Sequence, residues 1–97
     1  MHVTVKTALN PATEMPISQS AADLVRFGAF PNEPAELDAI RALAAALITK
    51  CESVRNRNRH GNGAAVRHAS LAITAAEEAG MWAVKAAAAP PAGGETS

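Results

Sequence analysis

The residues of this 97-residue chain that have the means to do chemistry are few, and their types favour holding an anion over transforming one. His2, His60 and His68 fall at separate points, without the paired spacing to Cys or carboxylates that a zinc site needs. Glu77 and Glu78 are sequence neighbours, so on a helix their side chains diverge by about 100° and do not converge as an acid and a base. Ser70 has no evident base partner, and the chain lacks a Gly-rich strand-to-helix turn for phosphate. Neither catalysis, a metal nor a cofactor is expected. The single cysteine, Cys51, cannot form an internal disulfide, and its place on an apolar stripe reads as a small buried hydrophobe in a reducing cytosol.

The distribution of charge says more than its total. From Lys50 to His68 the chain carries Lys50, Arg55, Arg57, Arg59 and Arg67 with Glu52 as the only acid, although the formal net charge is zero. Such a segment draws an anionic ligand, while the neutral total counts against binding long nucleic acid. Arginine offers a planar fork matched to phosphate oxygens, and Arg67 lies near the start of a helix, where the backbone field also favours an anion. For Arg55, Arg57 and Arg59 the competing reading is a set of solvated loop charges. For Arg41 it is a side chain that snorkels or pairs with an acid one turn away, such as Asp38. Phe27 and Phe30 flank the turn before that helix, where they either plug the open end of the fold or stack on a base.

These side chains need helices to position them, and the sequence supplies an all-α architecture. Ser18 to Arg26 reads as a brief helix, with Ser18 or Ser20 as its cap. Phe27 to Pro34 is a turn rich in breakers, and Pro34 suits the opening of a long helix whose first acids are Glu33, Glu36 and Asp38. Leu37, Ile40, Ala44, Leu47, Ile48 and Cys51 recur at spacings of three and four, which places one stripe of this helix, running to about Val54, against a partner. Asn56 to Gly63 has the Asn and Gly of a tight connection, so a second helix folds back as an antiparallel hairpin. In that helix Val66, Ala69, Ile73, Ala76, Gly80, Ala83 and Ala87 form a seam of small residues, with Leu71 and Trp82 off it, and Pro90-Pro91 stops it.

The expected organisation is an extended or flexible arm over 1–17, a helical hairpin domain over 18–88 and a flexible tail over 89–97. So short a chain buries a limited fraction of its surface alone, and two helices with apolar residues on several sides cannot hide them all. A homo-oligomer is the expected outcome. No apolar run approaches the roughly 20 residues of a membrane span, and Met1 to Thr7 has no signal-peptide core, so a soluble, non-exported protein is expected.

Two segments together resemble the small phage proteins that share the helical hairpin of the anti-CBASS cyclic-nucleotide sponge and the Thoeris anti-defence sponge. Arg67-His68-Ala69-Ser70-Leu71-Ala72-Ile73-Thr74 through Glu77-Glu78-Ala79-Gly80-Met81-Trp82-Ala83 is similar to that family's R-x-x-S-L-A-x-T-x-x-E-E-A-x-M-W-A pattern. Ile40-Arg41-Ala42-Leu43-Ala44-Ala45-Ala46-Leu47-Ile48 resembles its I-K-x-L-A-A-x-L-I helix, and the likeness covers roughly residues 27 to 88. The resemblance implies a protein that binds cyclic nucleotide alarm signals of bacterial immunity, either cyclic oligonucleotides or cyclic ADP-ribose-type messengers. It would remove them without cleavage, in the cytoplasm of the infected host. It also implies homo-oligomers, commonly hexamers, with pockets between subunits.

Carried over by position, the family's phosphate-binding basic residue of the first helix falls on Arg41, a change from Lys that keeps charge and alters shape. Its ligand-binding arginine falls on Arg67. The stacking aromatic falls nearest to Phe30, then Phe27; His68 is a further stacking candidate, and Ser70 or Thr74 a hydrogen-bond donor. Two alternatives stand beside this reading: a structural or adaptor hairpin of a phage that binds a protein, and a nonspecific nucleic-acid binder acting through the basic loop.

Overall fold

The computed structural model of the protein describes residues 2–6 and 14–90. In chain order, strands β1 (His2–Lys6) and β2 (Glu14–Ser18) precede helices α1 (Gln19–Val25), α2 (Ala35–Arg57) and α3 (Gly63–Ala87). The protein is mostly helical, and the helical hairpin dominates it. It is not purely α. The segments read as an extended arm pair as antiparallel strands, with Val3 opposite Ile17 and Val5 opposite Met15. The alternation Met15-Pro16-Ile17 explains this: Ile17 is fully buried and Met15 packs against the core, while Pro16 is exposed. A two-stranded sheet has only edges, which is where a residue without an N–H is tolerated. The last residues of the expected tail, 91–97, lie outside the described residues.

Helix α1 starts as expected at Ser18, whose hydroxyl accepts from the Ala21 N–H at 3.1 Å. It is fastened to the middle of α2 by a polar cluster. The Ser18 N–H donates to Thr49 Oγ1 at 2.9 Å, and the Ser18 and Ser20 hydroxyls each donate to the Glu52 carboxylate at 2.6 Å. Glu52, the one acid of the basic segment, is thereby engaged in holding the fold.

Helix α2 begins after Pro34 with Glu36 and Asp38 in its first turn, and ends three residues beyond Val54 with Arg55 and Arg57 in its last turn, charges that suit the macrodipole at both ends. Arg55 is therefore a half-buried helical residue, not a loop charge. Asn62 caps α3 by accepting from the Ala65 N–H at 3.1 Å, so α3 starts at Gly63, ahead of Val66. The seam of α3 packs inward through Ala69, Ile73, Ala76 and Gly80; Ala83 stays exposed. A Cβ on Gly80 would lie 3.0 Å from the Ala44 Cβ and 3.9 Å from Val25 Cγ1, so this glycine lets α1, α2 and α3 meet at one point.

Helix α2 meets its expected stripe in part: Ile48 is fully buried and Ala44 and Cys51 pack against the core, while Leu47 faces out. Its buried residues are Ala42, Ala45, Ala46 and Ile48, whereas Leu47 is 52% exposed and Leu37, Ile40, Ala44 and Cys51 are half-buried. The cause is that α2 packs against α1 and β2 as well as α3, so its inner surface is broad and made of alanine, which allows close backbone approach. The bulky side chains are displaced outward: Leu43, Leu47, Leu71, Met81 and Trp82 are each more than half exposed.

Candidate ligand-binding site

The C-terminal end of α1, the opening of α2 and the second half of α3 converge around an open groove of about 660 Å³. It arises where the chain leaves α1. Arg26 takes a left-handed conformation (φ 59°) as the C-cap, and the Phe27 N–H donates to the Ala22 carbonyl at 2.9 Å. A non-glycine residue there costs about 1–2 kcal/mol of local strain. That strain is held by the packing of Phe27, which is half-buried against the core. Phe27 is thus the plug, and its ring does not line the groove.

Arg41 lines the groove and is held by both an ion pair and a helix-end carbonyl. Its Nε donates to both oxygens of Glu33, at 2.9 and 3.3 Å, and its Nη1 donates to the Val25 carbonyl at 3.0 Å, closing the negative end of α1. The guanidinium carbon lies 4.8 Å from the centre of the Phe30 ring, which is partly exposed and serves as a platform for the cation. The ion-paired reading of Arg41 is the observed one, with Glu33 in the role expected of Asp38. Proline-rich sequence places Glu33 there: the turn Phe30-Pro31-Asn32-Glu33, closed by a Glu33 N–H to Phe30 carbonyl bond of 3.1 Å, folds the acid back over the first turns of α2.

Opposite Arg41, α3 presents Thr74, Glu77, Glu78, Met81, Val84 and Lys85. The Thr74 hydroxyl donates back to the Ser70 carbonyl at 3.3 Å, which leaves its oxygen as an acceptor towards the groove. Lys85 Nζ lies 5.5 Å from the centre of the Trp82 ring. The cations Arg26, Arg41 and Lys85 face the acids Asp23, Glu77 and Glu78, so the groove is charge-compensated and no plain basic patch.

The sequence candidates therefore divide. Arg41 and Thr74 line the groove, and Phe30 lies against the Arg41 guanidinium without lining it. Arg67 and His68 are exposed near the start of α3, and Ser70 is half-buried one turn further on. Thirteen residues separate Arg67 from Gly80, about 20 Å along the helix at 1.5 Å per residue, so one chain does not bring Arg67 to Arg41. Missed in the sequence were Glu33, Arg26 and Lys85. Lys85 had a readable signal, because Thr74, Glu78, Met81 and Lys85 recur at spacings of four, three and four, one face of a helix. Glu33 and Arg26 had none, since their placement depends on the turn between α1 and α2.

Among the described residues no three His, Cys, Asp or Glu side chains gather as a metal site, and no helix is long and apolar enough to cross a membrane. No curated protein and no solved structure matches the chain. The Acb2/Tad1 hairpin domain matches residues 20–88, from the first turn of α1 to the end of α3, and so takes in every element that builds the groove. The chain accordingly belongs to the Acb2/Tad1 hairpin family, that of the anti-CBASS and anti-Thoeris sponges.

Proposed function

We propose that the protein sequesters a cyclic nucleotide messenger of bacterial antiviral signalling during phage infection, holding it intact in the host cytoplasm so that the host effector is not activated. The observation that carries this reading is the match of the sponge-family hairpin to residues 20–88, the whole of the groove-forming structure. A sponge needs convergent donors, a platform for a base and a water-poor pocket, and no reactive group. Arg41 supplies the donors of one such wall, with the partly exposed Phe30 ring against its guanidinium as the platform and the Thr74 hydroxyl oxygen across the groove as an acceptor.

Arg67, with His68 and Ser70, supplies the second wall from another copy of the chain. Two facts support this. A single chain holds Arg67 and Arg41 about 20 Å apart along the hairpin. The same chain also leaves Leu43, Leu47, Leu71, Met81 and Trp82 exposed, more bulky apolar surface than a solitary small domain usually shows water. The functional unit is a homo-oligomer, a hexamer by the resemblance in the sequence. The ligands proposed are cyclic dinucleotides, cyclic trinucleotides and cyclic ADP-ribose isomers.

A thermal-shift panel of those ligands, followed by denaturation and chromatography of the released nucleotide, tests the proposal. A rise in melting temperature with at least one cyclic ligand, recovered chemically unchanged, is expected. Breakdown products would make the protein an enzyme, and a panel with no shift would favour a hairpin that binds a protein partner.

A further inference from the structure

Arg41 has five N–H donors, and two are engaged: Nε with the Glu33 carboxylate at 2.9 and 3.3 Å, and Nη1 with the Val25 carbonyl at 3.0 Å. Three remain for a ligand. The charge, however, is already answered. Glu33 is nearly buried, its side chain 9% exposed and that of Arg41 15%, so water screens the pair weakly. The rest of the groove supplies no surplus of positive charge, since Arg26 and Lys85 stand against Asp23, Glu77 and Glu78. With Glu33 counted, four acids surround three bases. A phosphate that reaches Arg41 therefore gains directional hydrogen bonds but meets a carboxylate on the far side of the same guanidinium.

We infer that Glu33 is a specificity-determining charge filter, which lets Arg41 accept a singly charged phosphodiester and turns away terminal phosphates. This rests on the proposed reading that the Arg41 wall meets the ligand. Repulsion from a fixed carboxylate grows in proportion to the charge that approaches it. A phosphodiester within a cyclic ligand carries one negative charge, whereas a terminal phosphate carries about two at neutral pH. A bare arginine cluster would rank these the other way and fill with nucleoside triphosphates, the commonest nucleotides of the cell. Glu33 also holds Arg41 in place, so it filters as a positioning residue.

The test is calorimetric titration of the wild-type oligomer and of Glu33→Gln with cyclic di-AMP, cyclic tri-AMP and ATP. Glutamine keeps one oxygen to accept from Nε, removes the charge and exchanges the second, 3.3 Å acceptor for an NH2 group. The expected result is that ATP binds Glu33→Gln at least about tenfold more tightly than wild type, while the affinity for whichever cyclic ligand binds changes by less than about threefold. The Glu33→Asp variant, which retains the carboxylate, should still reject ATP. Equal ATP affinities in wild type and Glu33→Gln overturn the filter and leave the sponge reading intact. If neither protein binds any cyclic ligand of the full panel, the sponge reading is overturned, and the filter falls with it even if ATP is gained.

Discussion

At the end of the hairpin closed by α1, Arg41 is ion-paired, stacked on Phe30 and hydrogen-bonded to the last carbonyl of a helix. At the end formed by the inter-helix turn, Arg57, Arg59 and Arg67 are exposed, and the side-chain partner of Arg59 is the neighbouring Asn56, at 2.8 Å. Residues of the same type thus have different duties. A held guanidinium keeps its direction and its charge, while the paired Glu33 carboxylate offsets much of its outward field, which suits discrimination between ligands. An exposed one with no carboxylate partner among the described residues keeps its outward field, which suits attraction of an anion. A site that draws one wall from each end combines both.

Substitutions sharpen this contrast in descending order of effect. Gly80→Leu drives a side chain into Ala44 and Val25 where α1 meets the hairpin. A loss of about 3 kcal/mol, seen as a fall of more than 10 °C in melting temperature, is expected. A melting curve within a degree or two of wild type would show that α1 is not seated as described. Arg41→Ala should lower stability by about 2 kcal/mol in denaturant titrations and remove ligand binding as well, because it breaks a charged hydrogen-bond set inside the fold. Ser18→Ala removes the cap of α1 and one hold on Glu52, and should cost about 1 kcal/mol by the same measurement. Arg67→Ala should change stability by less than about 0.5 kcal/mol, as exposed surface substitutions do, while abolishing the heat of ligand binding. If Arg67→Ala destabilised the fold as much as Arg41→Ala, the distinction between the two ends would be lost.

The helices were legible in the sequence because local signals set them. Ser18 caps α1, Pro34 opens α2, and Ala69, Ile73, Ala76 and Gly80 mark the packed seam. Two features were not legible. The breadth of the inner face of α2 was missed: the pattern finds Ala44, Ile48 and Cys51 but weights bulk at Leu47, while packing on two sides selects alanine at Ala42, Ala45 and Ala46. The strand pair was read as an arm because its register is a contact between residues distant in sequence, and Met15-Pro16-Ile17 declares an inner side only once α2 lies beneath it. At the site, Arg41 and Thr74, which both line the groove, were found from the family resemblance. The Glu33 contact was not, since it is made by the path of a proline-bounded turn and by no periodicity.

Ser18 is at once the last residue of β2 and the residue that caps α1, so no linker separates the strand pair from the helix. A joint of zero length transmits torque. At one end of α1 Ser18 is tied to Thr49 of α2, and at the other the Val25 carbonyl accepts from Arg41. The strand pair, which lies outside the family-matched segment, is in this way joined through α1 to the carbonyl that Arg41 holds, and shortening it should be felt there as a loss of stability of the Arg41 contact.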